Sequence, residues 1–192
     1  VNIEPVLASD DDRARAITTI TSAFIDDPVE RWLFGDSYQA WFPAFVAAFA
    51  GDAFAQRTVW RLGDFDAVAM WLAPNVEPDE AQIVSVLTAA VAPERHEDLF
   101  EVLGQMSRAH PTNPHWYLPW LGVERQRQGM GLGGRLLQQC LTSVDQDHMP
   151  AYLESPNPRN VPFYERHGFE VTAISQAGSC PPVTSMFRGA RP

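Results

Sequence analysis

Cysteine is scarce in this chain, and its two residues, Cys140 and Cys180, cannot by themselves establish a bridge. Neither stands in a CxxC pair or at a Cys/His ligand spacing, and the histidines at 96, 110, 115, 148 and 167 form no metal signature. Reduced thiols and no structural metal are the expectation. Long hydrophobic runs are missing too: each apolar segment meets a charge or a glycine well before the roughly 18 residues that a membrane span needs. The amino terminus has neither a basic leader nor a small-residue cleavage signal, so cytoplasmic residence is the default expectation. Positive charge is in deficit. With 14 basic against 24 acidic residues the net charge is -10, and long-range repulsion opposes DNA, RNA and anionic membranes. Acidic groups recur in DDD at 10 to 12, DDPVE at 26 to 30, EPDE at 77 to 80 and EDLFE at 97 to 101, either a local field that attracts a small cationic partner or ordinary solvated surface charge.

What is present suffices for one core. A length of 192 residues with 45% hydrophobic content can bury it without a staple, so 1–192 reads as a single domain. Residues 3 to 7 read as a first strand, followed by a helix carrying Ala14, Ile17, Ile20 and Phe24 on one face and broken at Asp26, Asp27 and Pro28. A helix follows over about 40 to 54, then a hairpin of 58 to 62 and 65 to 72 around a GD turn. Ile83, Leu87 and Val91 form one helical stripe, and Leu99, Val102, Leu103 and Met106 another. WYLPWLGV from Trp116 favours a strand, but Pro119 conflicts with a fully paired ladder, so a bulge or a splayed edge is expected there. Leu132, Leu136, Leu137, Cys140, Leu141 and Val144 make a broad helical stripe that should pack on the sheet. Strands at 151 to 154, about 169 to 174 and PVTSMF, with a short helix in VPFYERHGF, complete a mixed α/β order.

Chemistry concentrates in VERQRQGMGLGGRLL at 123 to 137. Glycines 129, 131, 133 and 134 permit close approach and unusual backbone angles, and the helix beginning beside them aims free N–H groups at an anion. Arg125, Arg127 and Arg135 are candidates for a phosphate contact. The plain alternative is a glycine-rich turn before an ordinary helix. A dinucleotide site is disfavoured, because the run lies in the second half and lacks an early strand–loop–helix unit with its acidic ribose contact.

Gln128, Gly131 and Gly133 match the Q/R-x-x-G-x-G/A motif of the GCN5-related N-acetyltransferases, and NVPFYERHGF at 160 to 169 resembles that family's asparagine-to-tyrosine helix and the turn into its next strand. The resemblance implies a mostly antiparallel central sheet with a splayed strand pair, flanked by helices, and acetyl-CoA as acetyl donor. It implies cofactor contacts from Leu121, Gly122 and Val123 through their backbone, from Gln128, Gly129, Met130, Gly131, Leu132, Gly133, Gly134 and Arg135, and from Asn160 and Phe163. Asn160 is equally readable as a helix cap. Tyr164 is the implied general acid for the departing thiolate, with an aromatic core anchor as the alternative use.

An ammonium has no lone pair with which to attack, so a proton acceptor is needed. Glu154, at the end of its strand, is the best carboxylate for that task, unless it only holds a substrate ammonium or faces solvent. Asp26, Asp27 and Glu30 are candidates for the acceptor entrance, and Trp32, Phe34 and Tyr38 for a flat wall or part of the core. Within the family, the strand, loop and FYERHGF segments look closest to puromycin N-acetyltransferase and related small-molecule acetyltransferases, which suggests a small primary amine as partner. A peptide or protein acceptor and a noncatalytic acyl-CoA-binding module are the alternatives, and the chain is either a monomer or a homodimer.

Overall fold

Residues 67–72 are buried at every position, which requires a strand covered on both faces. A computed structural model describes residues 4–191 and places this strand third in a seven-stranded sheet. The strands are β1 (Val6–Leu7), β2 (Val59–Leu62), β3 (Ala67–Leu72), β4 (Trp116–Val123), β5 (Ala151–Ser155), β6 (Glu170–Ser175) and β7 (Val183–Arg188). They lie in the order β1-β2-β3-β4-β5-β7-β6, with every neighbouring pair antiparallel except β4 and β5. The helices are α1 (Arg13–Ala23), α2 (Pro28–Phe34), α3 (Tyr38–Ala50), α4 (Glu80–Ala90), α5 (His96–Ala109), α6 (Leu132–Gln146) and the short α7 (Val161–Glu165). The expected first strand is thus present at Val6–Leu7, while Ile3 lies outside the described residues.

Two apolar clusters sandwich the sheet. Val68, Met70 and Leu72 face one that includes α1 to α5, and Ala67, Ala69 and Trp71 face the other beneath α6 and α7. Alternate residues therefore bury on opposite sides, the period-two rule with no solvent face. Among the described residues no helix is long and apolar enough to cross a membrane.

Pro119 leaves the mark that its missing N–H demands. Met70 pairs with Trp120 and Leu72 with Tyr117, so two residues of β4, Leu118 and Pro119, oppose the single Trp71. The extra residue reverses the facing pattern: Tyr117 and Trp120 both join the α1–α5 cluster although they are three apart. On its other edge β4 pairs with β5 only at Trp116–Ala151 and Tyr117–Tyr152, so the strands part where the bulge begins.

Three local expectations are corrected. In α1, Ala14 is exposed and the buried stripe runs through Ala16, Thr19, Ile20 and Thr21. The threonines can be buried because their hydroxyls are satisfied, Thr19 donating to the Phe65 carbonyl at 3.0 Å and Thr21 to that of Ile17 at 2.8 Å. DDPVE both breaks one helix and starts another: Asp27 Oδ1 accepts from the Val29 and Glu30 N–H groups, and Pro28 takes the first helical position of α2. Finally, α3 stops at Gly51 rather than reaching Phe54, and its Phe42 and Phe45 pack with Phe34 and Trp120 in an edge-to-face cluster.

Beyond the site, β7 is anchored by an ion pair buried on its arginine side. Arg188, only 3% exposed in its side chain, meets both Asp145 oxygens at 2.6 and 2.8 Å and donates from Nε to the His167 carbonyl. Cys140 and Cys180 are free and buried.

Candidate active site

The parting of β4 and β5 opens a largely apolar cavity. Leu118, Pro119 and Leu121 line it from β4, Glu154 from β5, Asn160 and Tyr164 from the α7 segment, and Glu30, Trp32 and Leu33 from α2. Phe45, Leu99 and Val183 close it from the core.

Glu154 does not face solvent. Its Oε2 accepts from Tyr117 at 2.7 Å, its Oε1 accepts from Tyr152 at 3.0 Å, and the side chain is 9% exposed. These hydroxyls sit on the one register pair, Tyr117–Tyr152, at which β4 and β5 still touch, so the strand junction itself holds the carboxylate. Burial, reinforced by the charge of Glu154, raises both tyrosines above the usual phenol range and keeps them donors. Two histidines that the sequence reading left aside complete this cluster. His110 Nδ1 lies 3.6 Å from Glu154 Oε1, and His110 Nε2 lies 3.1 Å from His115 Nε2. The sequence signal for this pair is the five-residue spacing of the histidines across the PTNP turn into β4, which a search for metal ligands alone does not catch. Among the described residues no group of three His, Cys, Asp or Glu side chains is arranged to hold a metal ion.

Tyr164 borders the cavity from α7, where its ring packs edge-on against Phe163 and Phe169. Core anchoring and cavity lining therefore coexist in this side chain. Burial, and secondarily the charge of Asp27, pushes its hydroxyl above the ordinary phenol range, so it carries its proton at neutral pH. Asn160 occupies the cap position of α7 but makes no capping bond with its side chain, which leaves that amide available to the cavity.

The glycine run divides into two kinds. Gly129 and Gly131 both have φ of +77°, and a Cβ at either would meet nothing within 4 Å, so they serve backbone conformation beside open space. Gly133 and Gly134 are helical and serve contact: a Cβ on Gly133 would stand 3.2 Å from Val123 Cγ2, and one on Gly134 would stand 3.7 Å from Phe163. Gln128 secures the loop by donating to the carbonyls of Val123 at 3.2 Å and Ala23 at 3.4 Å. Met130 is 61% exposed at the loop tip, whereas Leu132 packs partly buried on the α6 side of the sheet. With α6 starting at Leu132 and Gly131 offering no side-chain cap, the first-turn N–H groups form a cradle whose chemistry fits the pyrophosphate of acetyl-CoA. The arginines are less free than the sequence suggested, since Arg125 pairs with Asp26, Arg127 with Asp66 and Arg135 with Glu4.

Gly122 has a packing use as well. A Cβ there would approach Ala23 Cβ to 2.8 Å and Ile20 Cδ1 to 2.9 Å, so its bare Cα lets α1 lie on β4. Of the residues expected at the acceptor entrance, Glu30 and Trp32 line the cavity and Asp26 and Asp27 do not. Asp26 is an exposed partner of Arg125, and Asp27 is the α2 cap, its carboxyl raised to about 6 by burial against the lowering pull of its two backbone bonds. Glu30 is buried, its Oε2 has no hydrogen-bond partner, and burial with the Asp27 charge raises it well above the usual carboxylate range. Trp32 donates from Nε1 to Ser179 at 3.1 Å beneath the Arg95 guanidinium. Phe34 and Tyr38 belong to the core rather than to a wall.

The sequence profile of the acetyltransferase (GNAT) family matches residues 32–169 of this chain. The chain belongs to the GNAT acetyltransferase family. An uncharacterised N-acetyltransferase of Schizosaccharomyces pombe is 26% identical, over 82% of this chain and 70% of the yeast protein. Among solved structures, an acetyltransferase of Corynebacterium glutamicum described as histone acetyltransferase HPA2 and related superposes with a TM-score of 0.71 at 21% identity, covering 100% of this chain and 98% of that one. Arylalkylamine N-acetyltransferase 2 of Aedes aegypti superposes with a TM-score of 0.69 at 12% identity, covering both chains completely. These likenesses establish the GNAT fold, with its mixed sheet flanked by helices.

Proposed function

We propose that this GNAT protein moves the acetyl group of acetyl-CoA to the primary amine of a small molecule by direct attack with both bound. The observation that carries the reading is that a carboxylate fixed by two tyrosines, Glu154, and a protonated buried phenol, Tyr164, line one apolar cavity at the strand divergence. When bound, acetyl-CoA supplies a thioester carbonyl and a thiolate leaving group. Backbone N–H groups from Gln128 to Gly134 hold its pyrophosphate, Arg135 lies beside them, and the unpaired edge of β4 at Leu121 and Val123 positions its acyl end. Asn160 and Phe163 flank the same path. Glu154 takes the proton that frees the amine lone pair, and Tyr164 gives its proton to the departing sulfur. Glu30 and Trp32 form the acceptor side, where an aromatic surface beside a buried acid suits an amine-bearing apolar molecule better than a phosphate-rich one. Asp27 supports that side from the start of α2, and Asp26 adds negative field outside it.

The test is acetyl-CoA-dependent release of free thiol against aminonucleosides, arylalkylamines, other small primary amines and short peptides, with mass detection of the product. The chain contains no lysine, so self-acetylation of lysine amines adds no background. Acetylation of a compact amine in preference to peptides is the expected result and identifies the acceptor, puromycin included. Preference for peptides replaces this reading with protein acetylation, and acetyl-CoA binding without product from either class replaces it with a binding module.

A further inference from the structure

The hydrogen-bond directions around Glu154 determine where protons stand. His115 Nδ1 lies 2.8 Å from the Asn113 carbonyl, which can only accept, so His115 carries its proton on Nδ1. The Nε2 of a neutral His115 is then an acceptor, and His110 Nε2 at 3.1 Å must donate to it. A neutral His110 so fixed turns a bare Nδ1 toward Glu154 Oε1 at 3.6 Å, lone pair against carboxylate. With His110 neutral that junction lacks one proton, which the amine proton collected by Glu154 would supply.

We propose that His110 and His115 form the exit relay for the proton that Glu154 removes from the acceptor amine. This rests on the reading of Glu154 given above. The ammonium N–H bond breaks and an O–H bond forms on Glu154; that proton passes to His110 Nδ1 as the Nε2 proton of His110 passes to His115 Nε2. His115 then holds two ring protons and releases one to water, so the balance is one proton from amine to solvent. Release of the His115 Nδ1 proton leaves both rings in the opposite tautomer, and both regain the starting one by exchange with solvent, His110 being 27% exposed in its side chain. The groups facing the pair are Tyr117 and Tyr152, whose rings lie 5.2 and 4.6 Å from that of His110, together with Glu154 and the more distant charge of Glu77. Burial holds the His115 imidazole below the ordinary histidine range, which favours release over retention.

The role is that of positioning and relay residues acting through Glu154, so the test separates it from a structural role. In H115A and H110A, kcat for the best amine should fall about tenfold or more near neutral pH, with KM for the amine changed less than threefold, and added imidazole should restore kcat in H115A. Retained kcat in both variants overturns the relay, and so does a loss that imidazole does not restore and that appears mainly in KM. If the variants fail to fold, nitrogen-15 NMR of the wild-type histidines decides: an Nδ1–H tautomer at His115 with Nε2–H at His110 supports the relay, and the opposite tautomer at either ring overturns it. A wild-type protein that acetylates no amine refutes the function reading itself, whereas an active one with indifferent histidine variants refutes the relay alone.

Discussion

Replacing Gly131 with alanine isolates what the proposed acetyl-CoA loop requires of its backbone. The residue sits at φ +77° and ψ 3° immediately before α6, and the added methyl would touch nothing within 4 Å. Sterics with neighbours therefore contribute nothing, and the whole cost is the left-handed conformation of a residue with a Cβ, about 1–2 kcal/mol. If the loop keeps its shape, that cost appears as lost stability, roughly 2–8 °C in Tm for a chain of this length. If the loop relaxes, the first-turn N–H groups turn away and KM for acetyl-CoA rises about 5- to 30-fold, the same energy expressed as an equilibrium ratio. Gly133→Ala is the control. Its φ is ordinary, its methyl stands 3.2 Å from Val123 Cγ2, and the helical preference of alanine over glycine, about 1 kcal/mol, offsets the small shift needed. Thermal melts and acetyl-CoA titrations of both variants decide the matter. The reasoning is refuted if G131A moves neither quantity, or if G133A raises KM more than G131A does.

Glu154→Gln should lower kcat about 10²- to 10⁴-fold at neutral pH, since the amide cannot accept the amine proton; steady-state kinetics with a saturating amine would expose the error if kcat stayed within a factor of three. Tyr164→Phe should lower kcat without a comparable rise in KM for acetyl-CoA, and an equal loss in a binding titration would instead make the ring a cofactor contact. Asp145→Asn leaves Arg188 buried with its charge unmatched and should cost about 3 kcal/mol in denaturant melts. Because Arg188 lowers the Asp145 carboxyl in the folded state, the contribution of this pair is complete above the ordinary carboxylate range and is lost only as pH falls through the depressed folded value. Asp27 has the opposite sign. Its folded value of about 6 stands above its ordinary 3.8, so the wild type should lose stability between about pH 4 and 6, where the unfolded carboxyl ionises and the buried one still holds its proton. Asp27→Asn keeps the cap acceptor and should flatten that part of the stability profile, an outcome that urea melts at stepped pH would detect.

What the sequence made legible was geometry governed by one residue at a time. Pro119 has no N–H, so a bulge and an open edge near it followed from covalent structure, and both occur at that point of β4. The α6 stripe from Leu136 to Val144 was plain because five of its apolar residues recur at helical spacing, and all five are buried. The glycine loop was legible as a loop but not in its division of labour, because glycine spacing alone does not tell a left-handed backbone, as at Gly131, from a close contact, as between Gly133 and Val123. The buried face of α1 was misjudged because threonine counts as polar until its acceptor is known. α2 was missed because the Asp-Pro signal that ends one helix also starts the next. The His110–Glu154 junction joins residues 44 positions apart through a strand pairing of two rungs, and no local pattern encodes it.

The two cavity carboxyl groups show how the fold separates roles within one residue type. Glu154 accepts from two donors, the hydroxyls of Tyr117 and Tyr152, and has the His110 ring beside it, so proton gain and loss there has partners at every stage. Glu30 has a buried oxygen without a partner and the negative charge of Asp27 nearby, so its stable free state is the neutral acid. A neutral acid at the acceptor side does not hold an ammonium by charge before the ligand arrives. It can ionise when a cationic nitrogen replaces the missing partner, and binding at that position would then release a proton. Under the proposed function, ammonium capture and amine deprotonation fall to different ends of one cavity, since a carboxylate that bound the ammonium too well would hold the nitrogen protonated and unreactive. Glu30→Gln separates the two: it should weaken acceptor binding and abolish proton release on binding, while kcat at saturating amine stays within a few-fold. Calorimetry in buffers of different ionisation enthalpy counts the released protons, and an unchanged count in E30Q would place that ionisation elsewhere.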